Sequence, residues 1–306
     1  MSHKYIIGVD GGGTKTKGAR FDLNGHIEKE VIFGPSNISV DQDQALKLID
    51  QVIEALTQSI DIKHIAQIIL GIAGAGKITD HNDYLKPLTA KYNVPILLTT
   101  DAHIALYAID KLPQEAAMLI LSGTGSTIMV RGAETTHMIG GYGHILGDQG
   151  SAYHLVIQAV KTMIKHHEED SEPTPFEHNF REHLKLKDIQ DIKAFIYSKT
   201  KTEIAHIAKF ISTCALAGDT DAQALLIEEG HVLAKQAINA YRKLKQPLPL
   251  HIAYKGGFIE EAPLVKDACS QKITESISNY RITTEVKDPI IGAFQMAKSQ
   301  LRGLDK

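Results

Sequence analysis

YIIGVDGGGTKTKGARFDLNGHIEKEVIF, residues 5–33, reads as three short strands joined by two turns. Tyr5 to Val9 is a β-branched run, the turn DGGGT (10–14) follows, and a second run reaches Leu23. Asn24-Gly25 is a hairpin signal, because both residues tolerate positive φ, and Ile27 to Phe33 is the third run. The same succession returns downstream. Ala117 to Leu121, the loop SGTGS (122–126), Thr127 to Arg131, a turn at Gly132-Ala133 and a run to Ile139 repeat it in order. A repeated supersecondary pattern implies two related halves. The boundary is expected near Leu112-Pro113, giving domains 1–113 and 114–306.

Between the copies, helix and strand patterns alternate, as a mostly parallel sheet covered by helices requires. Asp41 is the expected N-cap of a helix whose Ala45, Leu48, Ile49, Val52, Ile53 and Leu56 recur at helical spacing. Gln67 to Leu70 and Pro95 to Thr99 read as buried strands, followed by GIAGAG (71–76) and TDAH (100–103) where carboxyl ends of parallel strands form ligand crevices. The second half is richer in helix, with an amphipathic run from about Gln149 and helical patterns near 188–198, 202–217 and 220–245. HHEEDSEPTP (166–175) reads as an exposed loop, His251 to Tyr254 as a strand ending in Gly256-Gly257, and Asp288-Pro289 as the start of the last helix.

Composition narrows the function classes. The 306 residues carry 33 Lys+Arg against 36 Asp+Glu, which lacks the electrostatic footprint of a nucleic-acid or membrane-surface binder. Cys214 and Cys269 are far apart and outside any CxxC, which excludes a disulfide scaffold and a structural zinc site and makes a reducing cytoplasm the expectation. No apolar run approaches the roughly 18 residues of a membrane span.

The glycine turn at 10–14 leads into a hairpin and not a helix, which excludes the dinucleotide fingerprint and the Walker loop. Exposed amides of glycines without a Cβ can approach phosphate oxygens, and SGTGS sits at the equivalent point of the second copy, so the two loops together suit a nucleotide's phosphates. Asp10 suits a Mg²⁺ ion that keeps most of its waters. Asp101 is open to two readings, a helix N-cap or a general base for an attacking hydroxyl. Asp148, in GGYGHILGDQGSAYHL (140–155), is likewise either an N-cap or an acceptor for sugar hydroxyls. His103 and His144 belong to fifteen scattered histidines without metal-ligand spacing and are taken as structural.

DGGGTKT (10–16), Ser36-Asn37, GIAGAG (71–76), TTDA (99–102), LSGTGS (121–126), GGYGHILGDQGSAY (140–153), EIAHIA (203–208) and Gly256-Gly257 together resemble the N-acetylglucosamine kinase and BadF/BadG/BcrA/BcrD ATPase family, within the acetate kinase, hexokinase and actin superfamily. The resemblance implies an α/β fold of two ribonuclease H-like domains with an interdomain active-site cleft. It also implies ATP and Mg²⁺ as cofactors, a small-molecule sugar as partner and a homodimer. By position, Asp101 matches the general base toward a sugar 6-hydroxyl. Asp10, Gly11, Gly12, Gly13, Thr14, Lys15, Gly123, Thr124 and Gly125 match the phosphate and metal region, with Asp10 reaching Mg²⁺ through water. Ala205, Gly256 and Gly257 match the adenosine site, and Asn37, Gly74, Gly141, Tyr142, Gly143 and Asp148 the sugar site. The chain departs from its relatives at Gln149, where many carry Glu, and at Ile38-Ser39, where animal relatives carry His-Trp. Glucosamine, N-acetylmuramate and plain hexoses therefore stay open as acceptors, as do, in other classes, a dehydratase-activating ATPase and a non-catalytic sugar sensor.

Overall fold

The computed structural model describes residues 4–133, 135–283 and 287–304. Glu134, inside the run expected to reach Ile139, lies outside them. Contacts divide the chain into two units, one of residues 1–111 with 283–306 and one of residues 112–282.

In the first unit β1 (Tyr5–Gly11), β2 (Thr16–Asp22) and β3 (Ile27–Phe33) form the antiparallel meander expected from the opening stretch. After helix α1 (Gln42–Thr57), strand β4 (Ile65–Ile72) pairs parallel to β1, and after α2 (His81–Tyr92), β5 (Ile96–Thr99) pairs parallel to β4. The sheet order is β3-β2-β1-β4-β5. Strand alternation sends successive side chains to opposite faces. Ile7 and Val9 accordingly join Ile49, Val52, Ile53 and Leu56 of α1 in one core, while Ile6 joins Ala19 and Phe21 in another. Asp41 caps α1, its side chain accepting from the Gln44 N–H, and the helix buries the six apolar residues read from the sequence.

The second core contains the far end of the chain. Helix α12 (Pro289–Leu304) buries Ile290, Ala293, Phe294 and Met296 against the face of the first sheet opposite α1. It crosses α3 (Asp101–Tyr107) so closely that a Cβ on Gly292 would lie 1.8 Å from the Ile104 carbonyl oxygen. The sequence reading groups this helix with the second half, since nothing along the chain says which sheet it covers. In the structure it completes the first unit, because β1 and β4 are apolar on both faces and α1 covers only one.

The second unit repeats the pattern. β6 (Ala116–Ser122), β7 (Ser126–Arg131) and β8 (Thr136–Gly140) form the meander, and β9 (Leu250–Lys255) and β10 (Tyr280–Ile282) add in parallel. The order β8-β7-β6-β9-β10 is the first sheet's order strand for strand, so each unit is ribonuclease H-like. The difference lies in the insertion before β9, which carries α4 (Ala152–Glu168), α5 (Pro175–His183), α6 (Asp191–Tyr197), α7 (Lys201–His206), α8 (Ala208–Leu216) and α9 (Thr220–Arg242). Then α10 (Gly257–Glu261) and α11 (Pro263–Thr274) lead to β10. Two sequence expectations shift here. The helix expected from about Gln149 starts at Ala152, with Ser151 as its cap, and the exposed loop expected at 166–175 is shorter, 169–174, because α4 runs on to Glu168 and α5 starts at Pro175 behind a Thr174-Glu177 capping box.

Candidate active site

In the first unit the proposed site residues gather at the carboxyl ends of the parallel strands. Asp10 pairs in register with Gly71 of β4, and Gly71 with Thr99 of β5. Neighbouring strands are about 4.8 Å apart, so this row sets Thr99 about 10 Å from Asp10. The loop from Gly12 to Lys15 is closed by the Gly12 N–H donating to the Lys15 carbonyl at 3.0 Å. A Cβ on Gly13 would have nothing within 4 Å. Thr16, fully buried, donates to the Gly34 carbonyl and to Ser36 Oγ, both at 2.7 Å, and the Ser36 N–H donates to the Gly12 carbonyl at 3.1 Å. These bonds bring Asn37 beside the glycine loop. Asn37 Oδ1 accepts the Ser39 N–H at 2.8 Å, and Gly74, at φ +83°, lies so near that a Cβ there would come within 2.6 Å of the Ser39 nitrogen.

Asp101 is the first residue of α3, and the cap is its neighbour. Thr100 Oγ1 accepts the His103 N–H at 3.1 Å, so the N-cap reading belongs to Thr100 and not to Asp101. His103 Nδ1 meets Thr99 Oγ1 at 2.7 Å and its ring stands edge-on to Tyr107, which fits the structural role expected for it.

In the second unit SGTGS forms the tight β6–β7 turn, with Ser122 and Ser126 paired and the Gly123 N–H donating to the Gly125 carbonyl at 2.9 Å. Gly256 and Gly257, 130 residues away, lie against it: a Cβ on Gly256 would stand 2.4 Å from the Ser122 carbonyl oxygen. Gly123, Thr124, Ala205 and Gly257 line one cavity of about 450 Å³, together with residues the sequence reading did not single out, among them Lys209, Ser212, Leu216, Phe258 and Glu261. That volume lies in the range of small-molecule sites. Gly141, Tyr142 and Gly143 form an exposed turn, fixed to the same region by the Gly141 N–H donating to the Ser126 carbonyl at 3.2 Å.

Asp148 is not the N-cap of the helix that follows it. Ser151 caps α4, and Asp148, only 4% exposed and at φ +59°, turns its carboxylate inward. Oδ1 accepts the Ser126 N–H at 3.3 Å and Oδ2 accepts from Lys201 Nζ at 2.6 Å. Lys201 lies 53 residues further on, and no local pattern links the two. The same holds for buried Glu229 on α9, which accepts the Gly150 N–H at 2.8 Å and faces His154 Nδ1 at 2.8 Å.

The donor set fits a hard cation held with a nucleotide. A strand-end carboxylate such as Asp10 is what Mg²⁺ uses when phosphates and water supply its remaining oxygens. Among the described residues no three or more His, Cys, Asp or Glu side chains gather as a metal cage. Cys269 is fully buried on α11, its thiol pushed up to about 12 by burial, and Cys214 lies on α8. No helix among the described residues is long and apolar enough to cross a membrane.

The chain is similar to several known proteins along nearly its whole length. The chain is 30% identical to the N-acetylmuramic acid/N-acetylglucosamine kinase of Clostridium acetobutylicum, over 97% of this chain and 99% of that one. It is 26% identical to the N-acetyl-D-glucosamine kinase of Dictyostelium discoideum, over 97% and 98%. Among solved structures, a candidate N-acetylglucosamine kinase from Chromobacterium violaceum shares the fold, with a TM-score of 0.67 at 20% identity, covering 97% of this chain and all of the other. Residues 7–297 match the family described as the BadF/BadG/BcrA/BcrD ATPase family, and the chain belongs to that family.

Proposed function

We propose that this protein is an ATP-dependent amino-sugar kinase that phosphorylates the 6-hydroxyl of N-acetylglucosamine, with Asp101 as general base. The strongest support is the end of β5. Thr100 and not Asp101 caps α3, and Asp101 follows Thr99 by two residues, at the strand-end row that also carries Asp10. The full-length relatives named as kinases of N-acetylglucosamine and N-acetylmuramic acid support the same substrate class.

When bound, ATP supplies the γ-phosphoryl group and Mg²⁺ offsets the charge on it. Asp10 would hold the cation, through water. Gly11, Gly12, Gly13, Thr14 and Lys15 on one loop and Gly123, Thr124 and Gly125 on the other would surround the phosphates, those amides that do not close the two turns donating to their oxygens, and Ala205, Gly256 and Gly257 would line the adenosine. Asn37, Gly74 and the Gly141–Gly143 turn would orient the sugar so that its hydroxyl meets Asp101. Asp101 takes the hydroxyl proton as the oxygen bonds to phosphorus and the bond to ADP breaks; positioned general bases contribute roughly 10²–10⁴-fold.

The test is ADP release with N-acetylglucosamine, N-acetylmuramic acid, glucosamine and glucose, with the sugar phosphate weighed by mass spectrometry. Asp101→Asn should lose at least about 100-fold in kcat, the lower end of that range, while still binding ATP. An unaffected rate removes Asp101 from the mechanism, and no phosphorylated amino sugar from any acceptor removes the reading.

A further inference from the structure

Resting on the kinase reading, we infer that Lys201 is a positioning residue for nucleotide binding: it neutralises buried Asp148 beneath the SGTGS loop and holds that loop in shape. The geometry is continuous from α7 to the loop. Thr200 caps α7 through a capping box with Glu203, which fixes the helix's first residue, Lys201. The ammonium of this partly buried side chain donates to Asp148 Oδ2 at 2.6 Å. A Cβ on Gly125 would lie 2.8 Å from both Asp148 Oδ2 and Lys201 Nζ, so the ion pair packs directly on the glycine loop. The other carboxylate oxygen takes the Ser126 N–H.

The rest of the 148–150 segment completes the brace. Ser122 Oγ donates to the Gly150 carbonyl at 2.6 Å and Ser126 Oγ to the Gln149 carbonyl at 2.7 Å, so both ends of the loop hang on this segment. Gln236 Nε2 also donates to the Gln149 carbonyl, and Glu229 accepts the Gly150 N–H. The residue at 149 contributes only its carbonyl here, so Gln in place of Glu leaves the brace intact.

The charge matters as much as the geometry. A carboxylate removed from water beside a phosphate-binding loop repels the polyanion that the loop must hold, and the interior screens that repulsion poorly. A lysine paired with it cancels the charge, and removing one partner of such a buried pair leaves an uncompensated ion. This role also differs from the sugar contact expected of Asp148. A sugar contact puts the defect of a variant in the sugar KM, whereas a brace under the phosphate loop puts it in nucleotide affinity.

The experiment measures MgADP binding by titration calorimetry without acceptor, alongside KM for ATP and for N-acetylglucosamine, on the whole chain. Lys201→Met should weaken MgADP binding at least tenfold and raise the ATP KM in proportion, with the sugar KM within twofold of wild type. Lys201→Arg should recover most of the loss. Lys193→Met, which removes one exposed positive charge from the same unit, should behave as wild type. Asp148→Asn/Lys201→Met should bind better than Lys201→Met, because the bare charge is gone, yet at least threefold worse than wild type, because the brace is still missing. If Lys201→Met does not fold, this double variant and Lys201→Arg carry the test. A folded Lys201→Met, or the double variant in its stead, that binds MgADP within twofold of wild type overturns the role, as does a loss confined to the sugar KM. A wild-type protein that binds no MgADP removes the kinase reading itself.

Discussion

Gly256 and Gly257 are adjacent, both are assigned to the nucleotide site, and the same Ala substitution should affect them in opposite ways. Gly256 sits at φ +115°, where a residue with a Cβ is strained by about 1–3 kcal/mol. The added methyl would also stand 2.4 Å from the Ser122 carbonyl oxygen and 2.7 Å from its carbon. These are backbone atoms paired at the end of the central strand β6, which cannot rotate away, and overpacking of this kind costs about 1–3 kcal/mol more. The two ranges together run from about 2 to 6 kcal/mol, so Gly256→Ala should lose about 4 kcal/mol, which for a unit of this size lowers its melting temperature by roughly 8–16 °C. Gly257 opens α10 with ordinary φ, and its Cβ would meet only Glu261 Oε1 at 3.6 Å. Gly257→Ala should therefore be neutral or gain up to about 1 kcal/mol from helix propensity, while its methyl narrows the 450 Å³ cavity and weakens nucleotide binding. Calorimetric melting of the two variants against wild type, each with and without MgADP, separates the effects. Equal melting temperatures for Gly256→Ala and Gly257→Ala would falsify the close approach of Gly256 to Ser122.

Phe294→Ala should destabilise the first unit by about 3–5 kcal/mol, because this buried ring packs tilted against Phe21, centroids 5.1 Å apart, and anchors α12; urea unfolding checks it, and a loss under 1 kcal/mol would deny α12 its place on that sheet. Thr100→Ala should cost about 1 kcal/mol as a lost cap, whereas Asp101→Ala should leave the α3 cap intact; chemical denaturation of the pair reverses the assignment if Asp101→Ala is the costlier. Iodoacetamide at pH 8 should label Cys214 before Cys269, whose thiol is pushed up to about 12 by burial; peptide mass mapping checks the order, and equal labelling of the folded protein contradicts that burial. Asp22, lowered to about 2 chiefly by the His26 backbone N–H, contributes stability that is complete above its unfolded value of 3.8 and is lost as pH falls toward 2. Asp22→Asn should therefore flatten the acid limb of the stability profile over that window, and an unchanged limb rejects the contribution.

Much of the site was legible because its parts are local. A glycine loop between two strands needs only the residues that form it, and the repeat at 5–33 and 117–139 marked both loops. Asp41, with apolar residues at helical spacing behind it, and Asp288 before Pro289 identify helix starts the same way, through side chains that bond amides two or three residues on. Asp101 and Asp148 read alike in the sequence, each a carboxylate shortly before a helix. They part in the structure because Thr100 and Ser151, hydroxyls one and three residues away, reach the amides first.

The succession of strands, glycine loops and caps follows from the sequence alone, and with it the family and the residues offered to nucleotide and sugar. These depend on backbone preferences and side-chain bonds that act within a few positions. Three features emerge on folding: α12 returns to cover the first sheet, Gly256 lies against Ser122, and Lys201 faces Asp148 across 53 residues. Such contacts arise when apolar faces are buried against whichever partner leaves no strand uncovered, and when a carboxylate withdrawn from water must find a counter-charge wherever the fold brings one. Neither condition leaves a periodic mark along the chain.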